Sequence, residues 1–144
     1  MAEKLFSKAD RAIITDAIRN AEMETSGEIQ VHIENSCKGD VLDRAAEVFE
    51  KLKMHKTAQR NAVLFYLAVV DHKFAILGDA GINKVVPENY WENIKEEMLV
   101  HFKTSAFTEG LRKGIEMSGK QLQQHFPYDK EGDINELPDE ISFE

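Results

Sequence analysis

The stretch that most restricts this chain is residues 61–70, "NAVLFYLAVV". It is apolar at even and odd positions alike and rich in β-formers, so both faces of the strand it makes must be covered. A strand buried on both sides needs two flanking layers, which for a chain of 144 residues means helices above and below one sheet. "DHK" then allows only a tight reversal, so "KFAILG" returns antiparallel beside it.

The rest of the chain supplies those layers. From Lys8 to Glu24, Ile13, Ile14, Ala17, Ile18 and Ala21 recur at helical spacing behind Ser7, an N-cap with Asp10 three residues on. "GEIQVHIEN" alternates, with Ile29, Val31 and Ile33 on one side and Glu28, Gln30, His32 and Glu34 on the other, which predicts a strand with one dry face. Val41 to Leu52 is a second amphipathic helix. Trp91, Ile94, Met98 and Phe102 mark a third, and Phe107, Leu111, Ile115, Ser118 and Leu122 a fourth that Pro127 ends. Gly110 and Gly114 on its inner stripe are expected to let it approach the sheet. The order α-β-α-β-β-α-α, with a parallel pair and an antiparallel third strand, predicts an α/β fold: a three-layer α/β/α sandwich around a small mixed sheet. Residues 1–127 are expected to form one domain. Residues 128–144, with seven acids and one lysine and no period, read as a loosely held acidic tail.

Composition excludes several classes. A formal charge of −8 argues against a nucleic-acid or anionic-membrane surface. The single cysteine, Cys37, excludes an internal disulfide and any multi-cysteine metal site. "MAEKLFSKAD" lacks a signal-peptide core and no run reaches membrane-spanning length, so a cytoplasmic, monomeric protein is expected. The five histidines show no zinc spacing, and phosphate-loop, dinucleotide and nucleophile-elbow motifs are missing.

Strand direction gives one candidate site. Parallel strands begin at the same end of a sheet, so Glu28 lies near Arg60 and Asn61. The antiparallel third strand ends there and delivers "GDAGIN". Glu28, Asn61, Asp79 and Asn83, with backbone oxygens freed by Gly78 and Gly81, are the oxygen ligands a Ca²⁺ or Mg²⁺ ion takes. The same residues also suit an ordinary ion pair of Arg60 with an acid and a plain glycine turn. In the tail, Asp129, Glu131, Asp133, Asn135 and Glu140 follow EF-hand offsets, although Ile134 stands where that loop needs glycine.

"TSGEIQVHI", "NAVLFYLAVVDHKFAILGDAGI" and "FTEGLRKGI" together resemble the TPM domain, in order and spacing, over about residues 8–125. The resemblance implies an α/β/α sandwich, a divalent-cation site (usually calcium) in a cleft at the strand ends, and the acid phosphatase activity proposed for plant members. Glu28 matches the family's acid at the first strand, Asn61 its asparagine entering the second, Asp71 its hairpin acid, and Gly78 and Gly81 its glycine pair. The family's usual "NNG" is "RNA" here, and Asp79 stands where many members carry an aromatic or small residue. Many members also have a signal peptide and a membrane anchor, which this sequence does not show. Two functions follow as expectations. One is a cation-dependent phosphatase in which Arg60 offsets phosphoryl charge while Asp79 or Glu28 orients water. The other is a non-catalytic interaction or repair module, with an unidentified protein partner, whose fold the cation stabilises.

Overall fold

The computed structural model describes residues 2–128 and 137–144. A 3₁₀ turn, Ala2–Leu5, leads into α1 (Lys8–Glu22), whose capping box is formed as expected: Ser7 Oγ accepts from Asp10 N–H, and the Asp10 carboxylate accepts from Ser7 N–H. Strand β1 (Glu28–Glu34) is followed by α2 (Val41–Lys51), which Asp40 caps. β2 (Ala62–Ala68) and β3 (Lys73–Gly78) form the hairpin, with His72 at a φ of 53° in its turn. A single helical turn, α3 (Ala80–Asn83), precedes α4 (Glu92–Phe102) and α5 (Phe107–Gln123). Two residues, Ser142–Phe143, form β4.

The sheet order is β3-β2-β1-β4, with β1 parallel to both β2 and β4 and β2 antiparallel to β3. Helices cover both faces. Ile29, Val31, Ile33, Val63, Phe65, Leu67 and Ile76 pack against α1, α4 and α5. Ala62, Leu64, Tyr66, Ala68 and Ala75 pack against Ala45, Val48 and Phe49 of α2. The α/β/α sandwich read from the double-sided apolar strand is thus present, with no helix among the described residues long and apolar enough to cross a membrane.

Three local readings change. First, β1 has no wet face: Glu28, Gln30, His32 and Glu34 are all buried, between 2% and 6% exposed. Period-two alternation shows which side is apolar, but not that the polar side is open to water. Second, residues 137–144 return along this polar row. Leu137 N–H donates to the Glu28 carboxylate, Ser142 Oγ meets His32 Nδ1 at 2.9 Å, and Glu144 N–H donates to Ile33 O. A two-residue strand is too short to show a period, which is why β4 is missing from the predicted order. Third, Gly110 and Gly114 face α4, not the sheet. A Cβ on either would lie 2.4 Å from the Phe102 ring or the Met98 sulfur, so these glycines set how closely α4 and α5 pack.

Gly81 is also a close-approach residue, since no glycine among the described residues has positive φ. A Cβ there would sit 2.1 Å from Gln59 O and 2.6 Å from Arg60 O, which are backbone atoms that cannot swing aside. Gly81→Ala should therefore cost about 1–3 kcal/mol of stability in urea unfolding. Gly39→Ala, where a Cβ meets nothing within 4 Å, is the control. Equal behaviour of the two variants would remove this role for Gly81.

Candidate functional site

At the starting ends of β1 and β2 the expected residues are present but divided among separate partners. The Arg60 fork holds Asp79 bidentately, Nε to Oδ2 at 2.7 Å and an Nη to Oδ1 at 2.8 Å, and Asp79 Oδ1 also accepts from Ala80 N–H as the cap of α3. Arg60 is thereby held more firmly protonated, through its hydrogen bond to Asp79. Asn83 donates its side-chain amide to Gly78 O, and Asn61 donates its own to Ser26 Oγ. Glu28 receives Leu137 N–H.

Register explains the division. Glu28 pairs with Ala62, one residue beyond Asn61, so Glu28 and Asn61 are out of step with each other on the pleat. Asp79 lies two strands away, roughly 10 Å at the usual strand spacing. One feature still favours a ligand at this end: Asn61 Oδ1 is buried with no hydrogen-bond partner. Of the tail acids, Asp129, Glu131 and Asp133 lie outside the described residues.

At the opposite, carboxyl ends of β1 and β2 is a cleft of about 620 Å³. Asn35, Ser36, Cys37, Asp40, Asp43 and Glu47 line it beside Glu34, Arg44 and Glu144. Its β1–α2 loop is clamped from the hairpin: Asp71 Oδ2 accepts from Cys37 N–H at 2.8 Å, and Lys73 Nζ donates to Cys37 O at 2.9 Å and Gly39 O at 3.2 Å. The Asp-x-Lys hairpin thus shapes the cleft at one remove, and Asp71 stands at the far end of the sheet from Glu28 and Asp79.

Glu34 is the electrostatic centre. Arg44 grips it with Nε to Oε2 at 2.9 Å and an Nη to Oε1 at 2.8 Å, His32 Nε2 lies 3.1 Å away, and Tyr66 donates its hydroxyl. Burial would push the Glu34 carboxyl up, but these donors pull it down to about 2. Burial pushes the Tyr66 phenol up, with Glu34 adding to it, and burial lowers the His32 imidazole below its ordinary range. His32, Glu34 and Glu144 are the one group of three or more acidic, His or Cys side chains, among the described residues, whose ligand atoms lie within 4.8 Å of one another. The guanidinium of Arg44 already fills the cationic position among them, since it donates to both glutamates. Periodicity could not reveal this pairing, because Glu34 and Arg44 are ten residues apart across a loop.

The outer wall of the cleft is different. Asp40 uses Oδ1 for the α2 cap, while among the described residues the Asp43 carboxylate meets no cation. Asn35 keeps a buried side-chain oxygen with no partner. These are hard oxygen donors suited to a divalent cation.

The model of the TPM domain family, designated TPM phosphatase, matches residues 2–121. The chain is similar to the NMR structure of the BA42 protein from the psychrophilic bacterium Bizionia argentinensis. That structure shares 45% identity, gives a TM-score of 0.91, and is matched over 96% of this chain and 95% of its own. The N-terminal domain of a P. gingivalis protein aligns at 17% identity and a TM-score of 0.68, over 87% and 82% of the two chains. The N-terminal domain of the Corynebacterium glutamicum protein cg2496 aligns at 13% and 0.64, over 84% and 74%. These last two share the fold. No curated protein matches.

Proposed function

Since the chain belongs to the TPM domain family, we propose that it binds a divalent cation, Ca²⁺ or Mg²⁺, in the cleft at the carboxyl ends of β1 and β2, and phosphate monoesters through that cleft. The observation that carries this reading is the unpartnered side-chain oxygen of Asn35, a residue that lines the same cleft as Asp40 and Asp43. Asn35 and Asp43 would hold the ion directly, with Asp40 and Glu47 reaching it through side-chain rotation or bound water, since the three carboxylates do not converge within 4.8 Å of one another. When bound, the ion supplies Lewis-acid polarisation of a phosphoryl oxygen. The chain's own contribution is positional: Asp71 and Lys73 fix the loop, and Glu34 holds Arg44 at the cleft wall. Hydrolysis of a bound phosphate ester is the activity this arrangement would support. A non-catalytic module stabilised by the ion is the alternative.

A second seat, the set Glu28, Asn61, Asp79, Asn83, Gly78 and Gly81 with Arg60 beside it, is favoured by the orphaned oxygen of Asn61. A calcium and magnesium titration followed through backbone amide NMR separates the two. Shifts confined to residues 35–47 are the expected outcome. Shifts at 26–28, 60–61 and 79–83 would move the seat to the other end, and silence at both ends up to several millimolar would end the reading. Saturation at 100 times Kd should add about 2.7 kcal/mol of stability. Turnover of p-nitrophenyl phosphate by the cation-saturated wild type tests catalysis separately, and cation-induced shifts without turnover would leave the non-catalytic module.

A further inference from the structure

We propose that Arg44 and Lys51 form a binding place for the phosphate group of a monoester, and that the chain's own Glu144 carboxylate covers it. The two cations are seven residues apart on α2, hence on one face of the helix. Both reach the same side chain, Arg44 donating to one Glu144 oxygen and Lys51 to the other. All three remain in reach of solvent: the side chains of Arg44, Lys51 and Glu144 are 26%, 64% and 38% exposed. A groove of about 440 Å³ lies against Arg44 and Lys51, bordered also by Glu47 and Glu50.

The chemistry favours phosphate over another carboxylate. Arg44 spends Nε and one Nη on Glu34, which fixes its plane, and the same Nη faces Glu144. A guanidinium held in one plane next to a mobile ammonium suits an anion with three oxygens and up to two charges better than one with two oxygens and a single charge. In the wild type Glu144 competes from within the chain. It is tethered by its own N–H to Ile33 O and by the β4 pairing, so its effective concentration is of millimolar order or above. A free phosphate ester must displace it. The strap therefore sets a concentration threshold for the cleft, which only phosphate at comparable concentration, or a cation-assisted ligand, crosses. This contact deepens the reading of the cleft as a phosphate-ester site and rests on it. Its test uses no divalent cation, so failure of cation binding and failure of this contact are distinguishable.

Inorganic phosphate at pH 8 is titrated against the full chain, with amide and side-chain NMR as the readout. Glu144→Gln should bind phosphate at least fivefold more tightly than wild type, with shifts centred on Arg44 and Lys51. Glu50→Gln, which makes the same change in charge at the border of the same groove, should change affinity less than twofold. Adding Lys51→Met to Glu144→Gln should reverse the gain. Amide spectra that superimpose on wild type away from α2 and β4 establish that each variant keeps the fold. Equal gains in Glu144→Gln and Glu50→Gln, or no gain in Glu144→Gln, would overturn the proposal.

Discussion

Glu34→Ala should lower the unfolding free energy by about 3 kcal/mol, the low end of what removing one partner of a buried ion pair costs. The Glu34 side chain is 7% exposed, and Arg44, Tyr66 and His32 all direct donors at it. Its loss leaves the Tyr66 hydroxyl and His32 Nε2 buried without this acceptor, and each such orphan costs about 1–3 kcal/mol. Arg44 limits the damage, because it is partly solvated and can turn to Glu144 and Glu47. Replacing both charges, Glu34→Leu with Arg44→Met, should recover much of the loss, since an apolar pair leaves no charge stranded. Urea unfolding of Glu34→Ala measures the loss, and Glu34→Leu, Arg44→Met and their combination close the double-mutant cycle. A loss under 1 kcal/mol in Glu34→Ala would show that Glu34 is not the centre of this network.

That network marks the boundary of what the sequence makes legible. Helices α1, α2, α4 and α5 and the β2–β3 hairpin follow from apolar spacing, because each buries one long stripe or a full strand. The single turn α3 does not, since four residues carry no period and its signal, Asp79 between glycines, fits a bend equally well. The polar side of β1 reads as solvated because no local pattern announces that residues more than a hundred positions later will cover it.

The site is legible only as far as topology reaches. Strand direction correctly brings Arg60 beside Asp79, and chemistry then pairs them. It does not give the one-residue offset between Glu28 and Asn61, and in a sheet that offset sends side chains to opposite faces. The opposite cleft depends on contacts between a loop, a hairpin and a returning strap. Asp71 and Lys73 are visible as a hairpin motif in the sequence, yet their work is done on the backbone of Cys37 and Gly39.

The strap carries its own pH dependence, and Glu22→Gln should reveal it. Glu22 Oε2 accepts from Ile29 N–H at 3.0 Å, and burial, followed by a hydrogen bond with Asp139, pushes its carboxyl up to about 10. Below its ordinary value of 4.5, folded and unfolded chains both hold this proton and Glu22 costs nothing. Between 4.5 and about 10 the unfolded chain releases a proton that the folded chain keeps, so stability falls as pH rises, by at most about 1.4 kcal/mol per unit. Glu34 acts in the other direction: its contribution is complete above 4.5 and is lost as pH falls towards 2. His32, lowered by burial, also weakens the fold as pH drops below 6.5, where only the unfolded chain takes up its proton. These three groups together place maximum stability between pH 4.5 and 6.5. Glutamine at 22 keeps an acceptor for Ile29 and a donor for Asp139 without a proton to lose. It should therefore flatten the alkaline limb and gain about 1–3 kcal/mol at pH 7, after discount for partial solvation. Urea unfolding of both proteins at pH 5, 7 and 9 decides the matter, and parallel pH profiles would mean that Glu22 is ionised in the folded chain.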